Sequence, residues 1–129
     1  MSRRPYIRPV DRATWWLRQP RYIRYMMREV SAVLIGAYVL LLIVGLLRLS
    51  QGEAEYERFL DGAWGNLGVA FSIVAMLFAL YHTYSWFQVT PKAMPLSLAG
   101  KRVSGLAIVA AHWVGFAVVS AALLALMRV

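Results

Sequence analysis

Arg28 and Glu29 stand side by side where a basic segment gives way to a long apolar run, and His82 stands inside a second such run. Trp86 follows His82 by four residues, so the two share a helix face, and Ser85 borders it. Partial burial and an adjacent cation pull the protonation of a carboxyl such as Glu29 in opposite senses, leaving a group that can exchange protons. An imidazole over an indole can bind a ligand oxygen. Ordinary readings stand beside these. Glu29 can be a first-turn acid favoured by the helix dipole, Trp86 an interfacial belt residue, and His82 a packing histidine. Ionisable groups inside apolar spans nevertheless mark proton or substrate pathways by default.

The elements that must position these residues follow from hydropathy. The chain has 129 residues, is 60% hydrophobic and has a formal charge of +8 with only 16% charged residues. One domain of this size cannot hide so much apolar surface, and the charge lies outside the apolar runs. Three runs, Val30 to Leu49, Trp64 to Phe87 and Leu106 to Met127, are long enough to cross a bilayer core of about 30 Å. Unpaired backbone groups are too costly in lipid for anything but helices here. The expected fold is an all-α membrane protein with three transmembrane helices, at about 28–49, 64–87 and 105–127, behind a basic arm at 1–27. With no cysteine, the chain has no disulfide, no Fe–S ligation and no thiolate zinc site of its own.

Charge orients the spans. Arg3, Arg4, Arg8, Arg12, Arg18, Arg21, Arg24 and Arg28 precede the first span with Asp11 as their one counter-charge, and Lys92, Lys101 and Arg102 fall between the second and third. The segment between the first and second spans carries Glu53, Glu55, Glu57 and Asp61 against Arg58. The positive-inside rule then expects a cytoplasmic N-terminus and a periplasmic C-terminus, in a bacterial inner membrane. The arm interleaves arginine with Tyr6, Trp15, Trp16, Tyr22 and Tyr25, which suits a lipid headgroup zone and equally a soluble protein partner. Nucleic acid is disfavoured, because these residues lead straight into a span. Small residues at Ala107, Ala111 and Gly115, and again at Ala117, Ala121 and Ala125, favour close packing against a helix of another chain.

In this orientation Arg28, Glu29, His82, Trp86 and His112 all fall in the inner half of the membrane. An apolar slot, an aromatic wall and a few polar groups are what a quinone head requires. The rival use of the same atoms is a b-type haem with His82 and His112 as axial ligands. A third reading is a structural anchor or a small assembly factor with no ligand.

Several stretches together carry a more specific signal: "RRPYIRP" near the N-terminus, "TWW" at Thr14–Trp16, "YMMREVSAV" at entry to the first span, "HTYSWF" at the end of the second and "TPKA" after it. They resemble the C subunit family of bacterial quinol:fumarate reductases, the hydrophobic anchors of the four-subunit type, over nearly the whole chain. The resemblance implies a flavoprotein subunit and an iron–sulfur subunit docked on the cytoplasmic face of this anchor and a second three-helix anchor, the D subunit. It implies menaquinol oxidised beside the iron–sulfur subunit, with FAD and Fe–S clusters in the partner subunits and no haem. By the same resemblance Glu29 accepts a proton from the quinol, Arg28 tunes or positions it, His82 and Trp86 line the pocket, and Ala32 supplies a small wall. His112 and the segment between the first two spans match no motif of the family.

Overall fold

A computed structural model describes residues 10–128, so Arg3, Arg4, Tyr6 and Arg8 of the basic arm and the "RRPYIRP" motif lie outside the described residues. The rest forms a short 3-10 turn (Trp15–Arg18), helices α1 (Pro20–Gln51), α2 (Glu53–Ala63) and α3 (Asn66–Ala93), a two-residue hairpin, and helix α4 (Gly105–Leu126). Helices α1, α3 and α4 are long and apolar enough to cross a membrane. Helix α3 is central, with α1 on one side and α4 on the other; α1 and α4 do not touch. Ala75 and Ile108 are the buried hydrophobic side chains among the described residues, while Leu40 and Leu46 are 64% and 68% exposed. Such surfaces are stable only against lipid or other membrane helices. This is a membrane protein.

Helix α1 begins at Pro20, about two turns ahead of the expected start near residue 28. Apolarity marks only the part suited to lipid, whereas the helix itself starts where the backbone permits. Proline at the first helical position loses no needed N–H, and it holds Gln19 extended at φ −145° and ψ 140°. Arg21, Arg24 and Arg28 are therefore helical residues. Ahead of them, Asp11 accepts the Ala13 and Thr14 amides at 2.8 and 3.1 Å, and these two donors hold its carboxyl below the usual aspartate range. At the other limit, α3 runs on to Ala93 through Pro91, beyond the expected end at residue 87. Met94 N–H still bonds the Thr90 carbonyl at 2.8 Å, so the last turn closes despite the proline.

The segment between the first two spans is not a loop. Glu53–Ala63 is helical, with Glu53 and Glu55 in its first turn, where the dipole favours acids. Its packing is specified at Gly45 of α1, where a Cβ would sit 2.8 Å from the Phe59 ring. The joints are glycine for cause: Gly52 adopts φ 122° and ψ 165°, a region closed to other residues, and a Cβ on Gly68 would run into the Ala63 carbonyl. Between α3 and α4 the hairpin pairs Ser97 with Arg102 and Leu98 with Lys101 across an Ala99–Gly100 turn with positive φ at both residues. Ser104 then caps α4 by accepting the Ala107 amide at 3.2 Å. The small residues Ala107, Ala111 and Gly115 are exposed, and the Gly115 Cα has no neighbour within reach of a Cβ.

Gly45→Ala should destabilise the docking of α2 on α1 by about 1–3 kcal/mol through overpacking. Gly62→Ala, where a Cβ meets nothing within 4 Å, should be neutral or slightly stabilising. Thermal midpoints of the two purified variants against wild type check this.

Candidate functional site

The α1–α3 seam is held at one end by polar contacts that hydropathy does not reveal. Ser31, fully buried on α1, lies 2.6 Å from the Arg28 carbonyl and 2.8 Å from Nδ1 of His82 on α3. A carbonyl can only accept, so the single hydroxyl proton of Ser31 goes to Arg28. The Ser31 oxygen must then accept from the ring, which puts the imidazole proton on Nδ1 and leaves Nε2 with its lone pair free. His82 is half-buried, and Nε2 has no bond among the described residues. One turn further out, the Tyr81 hydroxyl donates to the Arg24 carbonyl at 3.3 Å.

Trp86 lies beside His82, ring centroids 6.1 Å apart, and the Arg28 guanidinium sits over its indole at 5.2 Å. Arg28, Ser31, His82 and Trp86 thus form one cluster from two helices. Nε of Arg28 is buried with no acceptor. A cation–π contact stabilises by about 0.5–2 kcal/mol, whereas an unsatisfied buried donor costs about 1–3 kcal/mol, more when charged. The two magnitudes are comparable, and an acceptor from outside the chain would satisfy the nitrogen that stacking leaves unbonded.

Glu29 and Ala32 do not join this cluster. Both are exposed, and Glu29 makes no hydrogen bond or ion pair among the described residues. Arg28 and Glu29 make no ion pair with each other, because successive helix residues diverge by about 100° and the Arg28 head turns to Trp86. At that spacing Ala32 falls between Arg28 and Glu29 on the α1 circumference. The three make a shelf at the edge of the seam, open to whatever lies alongside.

His112 faces elsewhere. Its Nδ1 is 2.7 Å from the Ile108 carbonyl of its own helix, so it too carries its proton there. Its ring lies 5.1 Å from Phe87, in an aromatic cluster with Trp113 and Phe116 on the α3–α4 seam. The two histidines lie on different seams, and each bonds through Nδ1. Among the described residues no group of three or more His, Cys, Asp or Glu side chains could hold a metal ion.

An apolar groove of about 660 Å³ runs along the α1–α3 seam and under α2, which lines it with Tyr56, Phe59, Leu60 and Ala63. It starts at Ile35 and Ala79, one turn beyond Ser31 and His82, passes Tyr38, Ser72 and Met76, and ends at Trp64. Two features of this end of the molecule were not legible in the sequence. Ser31 is an inconspicuous polar residue at the margin of an apolar run, and its partner is 51 positions away. The orphaned Arg28 nitrogen depends on where the guanidinium turns.

Fold and site define a small polytopic membrane protein with a polar cluster at one end of a three-helix sheet of spans. The chain belongs to the fumarate reductase C subunit family, which it matches over residues 1–128. It is 37% identical over 115 residues to the fumarate reductase C subunit of Mycobacterium tuberculosis, covering 89% of this chain and 90% of that protein. The Vibrio vulnificus protein of the same name is 37% identical over 119 residues, with 92% and 93% covered. That of Vibrio campbellii is 35% identical over 126 residues, with 98% of each chain covered. Membership makes this chain a membrane-anchor component of a multi-subunit fumarate reductase.

In the complex labelled with 15N-histidine, His82 should give the Nδ1–H tautomer with a bare Nε2. Ser31→Ala should release the ring into mixed tautomers and Ser31→Thr should keep it. An Nε2–H tautomer in wild type contradicts the assignment.

Proposed function

We propose that this chain anchors a quinol:fumarate reductase to the bacterial inner membrane and forms one wall of its menaquinol oxidation site. The observation that carries the reading is the unsatisfied Nε–H of Arg28 against the Trp86 face, next to a histidine whose Nε2 is free to accept. A hydroquinone head offers both complements: an oxygen to accept from Arg28 and a hydroxyl to donate to His82. The indole of Trp86 supplies a flat wall, and the groove that begins at Ile35 and Ala79 suits an apolar tail.

The N-terminal arginines, with Lys92, Lys101 and Arg102, put this end of the bundle on the cytoplasmic side by the positive-inside rule. The flavoprotein and iron–sulfur subunits dock there, with FAD and the clusters in those partners. A second three-helix anchor, the D subunit, packs on the faces that this chain leaves open. In the reaction the quinol gives two electrons to the iron–sulfur subunit and two protons to bases, becoming a quinone. Arg28 holds one oxygen. Glu29, on the open shelf beside Arg28, accepts a proton from a hydroxyl as the electrons leave, and Ala32 keeps the approach clear between them. His82, fixed by Ser31, orients the head by accepting its hydrogen bond. The electrons then reach fumarate at the flavin, where two protons taken up with them complete succinate. His82 bonds across the α1–α3 seam and His112 within its own helix, and the quinol reading uses the first ring alone.

Removing a positioned general base typically lowers a rate by about 10²–10⁴-fold. Glu29→Leu should therefore depress menaquinol-driven fumarate reduction on that order. Assembly, and fumarate reduction with a soluble dye donor that bypasses the quinol, should stay at wild-type levels. Wild-type quinol turnover in this variant contradicts the role of Glu29.

A further inference from the structure

Away from His82, at the opposite end of the bundle, α1, α2 and α3 line a second, open cavity of about 600 Å³. Arg48 from α1 and Arg58 with Glu55 from α2 stand at it, and Leu41, Val44 and Phe71 give it an apolar floor. Glu55 takes Nη1 of Arg58 at 2.7 Å and lies 3.8 Å from Nη1 of Arg48, which also donates to Gln51 at 3.0 Å. One carboxylate between two guanidiniums leaves one positive charge uncompensated in the cavity. The remaining acids of α2, Glu53, Glu57 and Asp61, occupy an arc of about 80° on its exposed face, apart from the Phe59, Gly62 and Ala63 side that lines the cavity.

Stability does not account for this pair of arginines. Their side chains are 46% and 73% exposed, and ion pairs so exposed contribute about 0–1 kcal/mol. Arg48 also ends an apolar run, where a cation is disfavoured unless it reaches a polar layer. Two guanidiniums at the rim of an apolar trough are the complement of a phosphate diester attached to hydrocarbon. Arginine binds phosphate bidentately, and each guanidinium keeps unused donors. The volume falls within the usual 300–1,000 Å³ of small-molecule sites and suits a headgroup with the first part of one acyl chain.

We propose that this cavity binds a glycerophospholipid, with its phosphate diester on Arg48 and Arg58 and an acyl chain along Leu41, Val44 and Phe71. Glu55 acts as the spacer that keeps the two guanidiniums together. The lipid fills the gap that the short α2 leaves over the α1–α3 seam, and so fastens this end of the anchor in the membrane.

The test is native mass spectrometry of the intact, delipidated complex titrated with phosphatidylglycerol from detergent micelles. Wild type should retain one lipid more than an Arg48→Gln/Arg58→Gln double variant, with apparent affinity lowered on the order of tenfold in the variant. Val44→Trp, which keeps both cations but fills the floor, should lose the same lipid. Diacylglycerol and inorganic phosphate at matched concentration should fail to displace it. Retention unchanged in both variants overturns the proposal. Displacement by diacylglycerol overturns recognition of the phosphate, and displacement by inorganic phosphate overturns recognition of a lipid.

Discussion

One hydroxyl organises the functional end of this molecule: that of buried Ser31, which donates to the Arg28 carbonyl of its own helix and accepts from Nδ1 of His82 on α3. In an apolar seam a polar group must find a partner, since leaving it unpaired costs about 1–3 kcal/mol. Ser31 and His82 therefore fix the register of α1 against α3, and with it the neighbours of both residues. Arg28 precedes Ser31 by three residues and so comes to lie over Trp86, which follows His82 by four. Because Ser31 has one proton, already committed, the bond also selects the tautomer of the ring.

The same constraint explains what is left open. A three-helix sheet with α3 in the middle leaves most of each outer helix uncovered, and that surface is apolar almost throughout. Lipid accounts for most of it. The shelf of Arg28, Glu29 and Ala32 and the Arg28 nitrogen without an acceptor are the polar exceptions to that surface. A chain whose polar groups are half-satisfied at one end is suited to a site shared with other chains and completed by a ligand. The opposite end is closed differently, by the amphipathic α2 lying on Gly45 through Phe59.

The three spans were legible in the sequence because lipid sets a length that polar loops interrupt, and the motifs around Arg28 and His82 identified the family. Helix limits were less legible. The Pro20 start of α1 and the passage of α3 through Pro91 obey backbone rules that hydropathy does not weigh. Helix α2 could have been found: Tyr56, Phe59, Leu60 and Ala63 recur at i, i+3, i+4 and i+7 between two glycine joints, a pattern hidden by the acids around it. Ser31 could not, because a lone serine at the edge of an apolar run has no periodicity and its partner lies on another helix. Adjacency in sequence also does not show that the Arg28 and Glu29 side chains diverge around the helix, the first toward Trp86.

The central claim is that a quinol head sits on the α1–α3 seam against Arg28, His82 and Trp86. A photoreactive menaquinone analogue, activated in the intact membrane complex and mapped by peptide mass spectrometry, tests it most directly. Adducts should fall within residues 28–32 and 82–86 and be suppressed by excess menaquinol. Adducts confined to the Trp64 end of the bundle, or absent from this chain while present on its partners, would contradict the account.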